Sequence, residues 1–312
     1  MLVRRDIDAG ELVRTHPPVI GHAHKRMVTE LCGLQTTGRL AISRWRAGDI
    51  AATWGTTEVL AERGHYRYDA ASRGGEAGAV WHVNFADPAL FVAYGSALLA
   101  QDELQCLEHP ILGSVRELLD ADGHAWTEER GVPTPVLVAG AERRCALDTR
   151  QLYGNAFVRA SQDAVRAALE VLASSTNPGP THTAATHTNL LAMAAPAGGR
   201  GTYRREDLEQ ILVTAYTGFA AAVAESMRLW PGAAVEVRTG FWGCGAFGGN
   251  RHVMTILQIA AARLAGIARL RFYAFDDAGQ AVLAEARAFE TGDDPIAAVH
   301  AHGFRWGVSD GN

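Results

Sequence analysis

The segment Thr239-Gly240-Phe241-Trp242-Gly243-Cys244-Gly245-Ala246-Phe247-Gly248-Gly249 has the residue types needed to hold a phosphate group. Its five glycines lie between a predicted strand and a predicted helix. Glycine lets backbone N–H groups approach an anion closely, and the positive end of the following helix adds to the attraction. The segment has neither the Lys-Ser/Thr pair of a Walker-type site nor GxGxxG spacing. We therefore predict a nucleotide-diphosphate site, with a plain strand-to-helix turn as the alternative.

An acidic pair provides the second candidate for chemistry. Asp102 and Glu103 follow Gln101 on a predicted helix whose other residues are rich in leucine. A carboxyl group against apolar surroundings acquires a raised pKa, which suits a general acid that breaks a glycosidic bond. The alternative is a solvated helix face, because Asp and Glu are mostly exposed in folded proteins.

The elements around these segments alternate between strand and helix. Period-two and buried apolar runs predict strands, and 3.6-residue periodicity predicts the helices between them. The predicted strands span residues 79–86, 135–140, 189–193, 233–238 and 270–275, and the predicted helices span 98–107, 161–174, 204–229, 252–265 and 280–289. Such alternation favours a sheet covered on both faces, with ligands at the loops that leave the strand ends.

Three segments together resemble the catalytic domain of poly(ADP-ribose) glycohydrolases. They are Val83-Asn84-Phe85-Ala86-Asp87, Gln101-Asp102-Glu103 and Thr239 to Gly249. The family pattern is Val-Asp-Phe-Ala-Asn, Gly-Gly-Gly, Gln-Glu-Glu and Thr-Gly-Asn-Trp-Gly-Cys-Gly-Ala-Phe-Gly-Gly-Asp, in the same order and with similar spacing. The resemblance runs from Val80 to about Asp277. It implies a three-layer α/β/α macrodomain-like mixed sheet over residues 76–312. The Arg- and Gly-rich break over residues 72–78 resets the sequence pattern, and no match precedes it, so we expect an N-terminal accessory segment over residues 1–75.

The resemblance also implies a role for each matching residue. Glu103 would protonate the departing oxygen, while Asp102 and Gln101 would orient the ribose hydroxyls, and water would attack the anomeric carbon. The diphosphate would lie around the glycine-rich segment, and Phe275 would pack near the ribose. The substrate-binding candidates are Asn84, Asp87, Gln101, Phe241, Gly243, Cys244, Gly245, Ala246, Phe247 and Phe275.

This chain departs from the family pattern at positions close to the expected ligand. Phe91-Val92-Ala93 replaces Gly-Gly-Gly, and bulky side chains there restrict both space and positive φ angles. Further replacements are Asn84 for Asp, Asp87 for Asn, Phe241 for Asn, and Asp102 for Glu. We therefore expect a glycohydrolase that acts on a smaller ADP-ribosyl substrate. The alternatives are a hydrolase of a small NAD-derived or nucleotide metabolite and a non-catalytic ADP-ribose-binding module.

Composition and charge limit the partners, the cellular compartment and the cofactors that we expect. The 312 residues carry a formal charge of -5, which gives no general attraction for nucleic acid. No apolar run is long enough to span a membrane or to form a signal peptide, and the four cysteines are far apart, so we expect a cytoplasmic protein. We expect no cofactor and no metal, because neither the pair His22 and His24 nor the pair His182 and His187 has a convincing third ligand.

Overall fold

The computed structural model describes residues 1–34, 37–46, 48, 55–68, 78–172 and 186–311. The strands are β1 (Val3–Asp8), β2 (Arg39–Arg44), β3 (Glu58–Glu62), β4 (Ala79–Ala86), β5 (Glu128–Glu129), β6 (Val132–Pro133), β7 (Val136–Arg143), β8 (Cys145–Leu147), β9 (Leu169–Val171), β10 (Thr186–Ala194), β11 (Val235–Thr239) and β12 (Arg269–Tyr273). The helices are α1 (Ala9–Thr15), α2 (Ala23–Cys32), α3 (Gln101–Glu108), α4 (Ile111–Ala121), α5 (Asn155–Arg159), α6 (Gln162–Ala167), α7 (Arg205–Leu229), α8 (Arg251–Ala265), α9 (Asp277–Ala288) and α10 (Pro295–His302).

Eight strands form one mixed sheet in the order β1-β2-β7-β10-β4-β11-β12-β3. The five strands from β10 to β3 run parallel to one another, while β1, β2 and β7 pair antiparallel. Two short pairs, β5 with β6 and β8 with β9, lie outside this sheet. The carboxyl ends of the central parallel strands therefore lie at one edge, where α/β sheets bind their ligands.

The sheet buries apolar side chains on both faces. Along β10, Leu191 and Met193 pack in the core cluster that includes α7 and α8, whereas Leu190 and Ala192 pack in the opposite cluster with α4. This alternation follows from the two-residue period of a strand, and both clusters are closed to solvent. The predicted three-layer α/β/α arrangement around a mixed sheet is confirmed.

Most of the predicted elements are present in the structure. The five predicted strands correspond to β4, β7, β10, β11 and β12, and the long helix predicted over residues 204–229 is α7. The helix predicted over residues 161–174 is wrong in its second half, because α6 ends at Ala167 and Leu169–Val171 then pairs with β8.

The prediction of an accessory segment over residues 1–75 needs correction. β1 and β2 extend the antiparallel side of the sheet, and β3 is its last strand on the parallel side. The backbone of β2 pairs with β7 from Ala41 to Arg44, and its Leu40 and Ile42 belong to a main apolar cluster. The N-terminal residues therefore form both edges of the sheet. The strands in these residues are short and partly charged, so they lack the longer apolar or alternating runs from which the other strands were predicted.

Removal of residues 1–75 tests the corrected boundary. We expect the truncated chain to lose cooperative thermal unfolding, because the deletion removes three strands and exposes the apolar side chains that β2 covers. Circular dichroism during heating measures the transition for the truncated and full-length chains. A cooperative transition in the shortened chain would show that the N-terminal residues are accessory after all.

Candidate active site

A cleft of about 460 Å³, open to solvent, lies at the carboxyl ends of β10, β4 and β11. Phe85 and Ala86 end β4, Ala195 follows β10, and Trp242 follows β11, so three neighbouring parallel strands contribute to it. The residues that line the cleft are Phe85, Ala86, Ala100, Gln101, Tyr153, Ala195, Trp242, Gly243, Gly245, Ala246, Phe247 and Asp310. The structure thus brings the glycine-rich segment and the start of α3 to a single opening, although they are well separated in sequence.

Helix α3 is attached to the end of β4 by side-chain amides. The fully buried Asn84 donates from Nδ2 to Asp102 Oδ1 at 3.0 Å and to Gln105 Oε1 at 2.9 Å. Gln101 Oε1 accepts from the backbone N–H of Phe85 at 2.7 Å, and its Nε2 donates to the carbonyl of Val83 at 3.2 Å. These contacts fix the first turn of the helix against the strand, because both partners of each bond are held in regular structure.

Two departures from the family pattern contact each other in this arrangement. Asn84 and Asp102 replace an Asp and a Glu, and a hydrogen bond joins them. The amide N–H at position 84 donates a hydrogen bond to the Asp102 oxygen, whereas an ionised acid at position 84 would repel an ionised Asp102. The two substitutions are therefore chemically compatible with each other.

Both members of the acidic pair are buried, so the solvated helix face is excluded. Asp102 is 5% exposed and Glu103 is 4% exposed. Burial and, after it, the charge of Glu103 together raise the pKa of Asp102 to about 8, although the hydrogen bond from Asn84 opposes the shift. The pair consequently holds a proton near neutral pH.

Glu103 has a second task at the start of its helix. Its Oε2 accepts from the backbone N–H of Ala100 at 2.9 Å, which satisfies a donor at the N-terminus of α3. Ala100 itself lines the cleft, whereas Glu103 and Asp102 lie behind that lining. The acidic pair is thus adjacent to the cleft through Ala100 and Gln101.

The glycine-rich segment turns tightly between β11 and α8. Gly243 has a φ of +75°, and a Cβ there would lie 2.5 Å from the Cβ of Ala195, so glycine is required. The indole Nε1 of Trp242 donates to the carbonyl of Met193 at 3.0 Å. Asn250 caps α8, and its Oδ1 accepts from the N–H of His252 at 2.9 Å. The segment therefore lies between a strand and a helix N-terminus, as predicted.

The Phe91-Val92-Ala93 segment keeps a backbone shape that usually needs glycine. Phe91 has a φ of +50°, which costs a non-glycine residue roughly 1–2 kcal/mol, and its ring is fully buried in the cluster with α4. Val92 is 53% exposed. Burial of the Phe91 ring offsets the backbone strain.

Lys25 and Asp310 are two residues near the site that the sequence interpretation missed. Lys25, on α2, is 1% exposed and donates from Nζ to the carbonyl of Tyr94 at 3.0 Å. Asp310 lines the cleft, and its Oδ2 would lie 3.3 Å from a Cβ placed on Gly245. Lys25 could have been noticed in the sequence because it is the only lysine, whereas no motif marked Asp310.

Besides the buried Asn84, four predicted ligand contacts lie away from the lining of the cleft. Phe241 packs edge-on against Phe272, and Asp87 accepts from the N–H of Ala89 at 2.9 Å in the turn after β4. The pKa of the half-buried Cys244 thiol is raised to about 12 by burial. Phe275 has a φ of +61° and is 55% exposed, with the His65 ring 4.8 Å away. The roles assigned to these four residues remain predictions.

Tyr153 lines the cleft, and the N–H of the following Gly154 donates to the carbonyl of Leu99, just before α3, at 2.9 Å. Burial raises the pKa of Tyr153 to about 12, so its hydroxyl remains a proton donor at neutral pH. Tyr94 is placed differently, because its hydroxyl donates to Glu117 and accepts from the backbone N–H of Val19. It does not line the cleft.

Among the residues that the structure describes, no group of three His, Cys, Asp or Glu side chains is placed to hold a metal ion. The rings of His22 and His24 pack against Phe157, and His182 lies outside the described residues. No described helix has the length and apolar character needed to cross a bilayer. All four cysteines are unpaired.

Comparison with known proteins supports the resemblance. Residues 162–281 match the model of the poly(ADP-ribose) glycohydrolase family, described as having the macro domain fold. A poly(ADP-ribose) glycohydrolase from Thermomonospora curvata bound to the inhibitor ADP-HPD is 15% identical with a TM-score of 0.49, and the alignment covers 89% of this chain and 97% of that one. The enzyme from Deinococcus radiodurans in complex with ADP-ribose is 16% identical with a TM-score of 0.42, over 92% and 94% of the two chains. No curated protein sequence matches this chain.

Substitution of Asn84 tests the attachment of α3 to β4. We expect Asn84→Leu to lower the free energy of unfolding by roughly 1–3 kcal/mol, because Asp102 and Gln105 each lose a buried donor. Urea denaturation at pH 7 gives this value. Asn155→Leu is the matched control, since Asn155 is exposed at the start of α5. Equal effects of the two substitutions would contradict a special role for Asn84.

Proposed function

We propose that this protein is a glycohydrolase that cleaves a ribosyl glycosidic bond in an ADP-ribosyl substrate. The observation that carries the proposal is the buried Asp102–Glu103 pair beside a cleft whose opposite side is the glycine-rich segment. A general acid and an anion-binding loop at the same sheet edge are the two features that such a reaction requires. The match to the glycohydrolase family over residues 162–281 supports the same conclusion.

The substrate binds with its diphosphate along Gly243, Gly245, Ala246 and Phe247. Backbone N–H groups in this segment and the N-terminal end of α8 stabilise the negative charge. Gln101 lines the cleft with its side chain fixed by β4, so the ribose next to the scissile bond lies over the first turn of α3. Both ends of the ligand are thereby held by elements that the sheet positions.

Glu103 donates the proton that the leaving oxygen requires, and Asp102 and Gln101 orient the ribose. The shared proton of the acidic pair is available near neutral pH, because burial raises the pKa of Asp102 to about 8. After the proton is transferred, the negative charge on the pair stabilises the oxocarbenium-like transition state. The bond between the anomeric carbon and the leaving oxygen breaks, water attacks the anomeric carbon, and the Glu103 carboxylate takes up the proton that water loses, which restores the acid.

The proposed substrate is a mono- or terminal ADP-ribosyl group. Phe91 retains the left-handed backbone, but Val92 presents an exposed apolar side chain where the family pattern has glycine. Extra bulk on this segment reduces the room for a continuing polymer on the far side of the ribose.

The cytoplasm is the proposed compartment, because all four cysteines are unpaired, as expected in a reducing environment. The net charge of -5 gives no support to nucleic acid as a partner.

Glu103→Gln tests the chemistry directly. We expect release of ADP-ribose from ADP-ribosylated protein to fall at least 100-fold, because the amide cannot donate an acidic proton, whereas calorimetric affinity for ADP-ribose changes little. Glu206→Gln, at an exposed position on α7, controls for loss of one charge. Mono- and poly-ADP-ribosylated proteins are compared as substrates. Binding without release in the wild type would indicate a reader, and no binding would contradict the ADP-ribose assignment.

The pH profile provides a second readout of the same reaction. The active form holds a proton on the pair, and the pKa of Asp102 is raised to about 8, so we expect the rate to fall as pH rises through about 8. Asp102→Asn removes this group, and its residual activity should lose that alkaline limb. An unchanged profile in this variant would assign the limb to another residue.

Asp310 provides a further test, because its carboxylate lies at the proposed diphosphate site. We expect Asp310→Asn to bind ADP-ribose about three- to tenfold more tightly at low salt, since a like charge beside the phosphates is removed. Calorimetry at two salt concentrations measures the change. Asp293→Asn, an exposed site on the loop between α9 and α10, is the matched control. Weaker binding by Asp310→Asn would show that this carboxylate contacts the ligand favourably.

A further inference from the structure

Lys25 is the only lysine in the sequence, although lysine and arginine together number 29. Every other basic side chain is therefore arginine, and most of them lie at or near the surface. The single lysine is 1% exposed and ranks among the largest fully buried side chains. An ammonium group is more compact than a guanidinium group and loses its proton more readily. The chain thus uses lysine at a position where size and titration both matter.

The contacts of Lys25 connect the N-terminal part of the chain to the site. Its Nζ donates to the carbonyl of Tyr94 at 3.0 Å and to that of Ala93 at 3.4 Å. These carbonyls end the segment that begins at Phe91, whose backbone has a left-handed φ. Two bonds from one buried cation fix this turn, which replaces the glycine segment of the resembled family.

The charges around Lys25 come from α3. Glu103, Cys106 and Asp102 act on its ammonium group, and all three favour the protonated form. Burial has the larger effect and lowers the pKa of Lys25 to about 8.

Other ionisable groups around α2 are placed differently. His22 and His24 lie at the start of α2 itself, and their rings pack against Phe157. On α6 and β9, which also contact α2, Asp163, Arg166 and Glu170 are exposed. The buried charges that act on Lys25 are therefore those of the acidic pair.

We propose that Lys25 is a positioning residue of this site, which holds the Phe91–Tyr94 segment through two carbonyls and balances the charge of the Asp102–Glu103 pair. The catalytic part of this inference rests on the proposed glycohydrolase function. Lys25 acts through the pair and the segment, without contact to the substrate. Its positive charge favours ionisation of Asp102, so the ammonium group limits how strongly the pair retains its proton.

The single lysine allows a direct measurement in the intact protein. With lysine labelled at ¹³Cε, an NMR titration follows Lys25 alone, because no other side chain carries the label. We expect a midpoint near pH 8 in the wild type, and a midpoint lower by roughly one pH unit in Glu103→Gln, where a neighbouring negative charge is lost. An identical midpoint in the two proteins would overturn the proposal, whether or not the protein hydrolyses an ADP-ribosyl substrate.

Activity measurements distinguish an effect of the Lys25 charge on the acidic pair from a role of Lys25 in stabilising the fold alone. In Lys25→Met, we expect the alkaline limb of kcat/KM to move up by roughly one pH unit, because Asp102 loses a charge that favours its ionised form. Lys25→Arg retains the charge and should restore the wild-type limb in part. Arg159→Met, at an exposed position at the end of α5, controls for loss of one positive charge. A limb that stays at the wild-type pH in folded Lys25→Met would overturn the proposal.

The two kinds of measurement distinguish this inference from the proposed function. Absence of glycohydrolase activity, together with a shifted Lys25 midpoint in Glu103→Gln, would contradict the function and support the coupling of Lys25 to the pair. Activity with no shift would support the function and overturn the inference. If Lys25→Met does not fold, the comparison of wild type with Glu103→Gln still decides the question, because both retain Lys25.

Discussion

The attachment of α3 to the end of β4 is the constraint on which the site depends. Asn84 on the strand donates to Asp102 and Gln105 on the helix, and Gln101 returns two bonds to the strand backbone. These bonds lie in a buried region, where an unpaired polar group is costly, so the helix has one favourable position. That position places the acidic pair next to the cleft.

The parallel part of the sheet brings the second half of the site to the same edge. β4 lies between β10 and β11, and the backbone of β11 pairs with β4 from Val235 to Arg238. The segment after β11 therefore has to emerge beside the end of β4, although more than a hundred residues separate the two strands in sequence. Long-range pairing of this kind sets the distance between anion-binding loop and carboxyl groups more rigidly than a flexible loop would.

Local patterns predicted the central elements because those elements are long or strongly apolar. The hydrophobic pattern of β4, β10 and α7 is visible in a single sequence. The composition of the glycine-rich segment is compatible with few local structures other than a turn. β1, β2 and β3 were missed since each is short and its burial depends on neighbours far along the chain. Burial of Asp102 and Glu103 was only one of two alternatives in the sequence, because a single sequence does not show which helix face meets the strand.

The motifs that resemble the glycohydrolase family account for only part of the electrostatics of the site, because residues outside them also carry charge. The acidic pair repels itself when both members are ionised, and burial increases that cost, whereas a nearby positive charge favours the ionised form. Lys25 supplies this charge from α2, outside the segments that carry the resemblance. The same helix packs against α3, which means that the N-terminal residues influence both the position and the protonation of the acids. Two proteins with identical motifs at the cleft can therefore differ in pH dependence when their N-terminal residues differ.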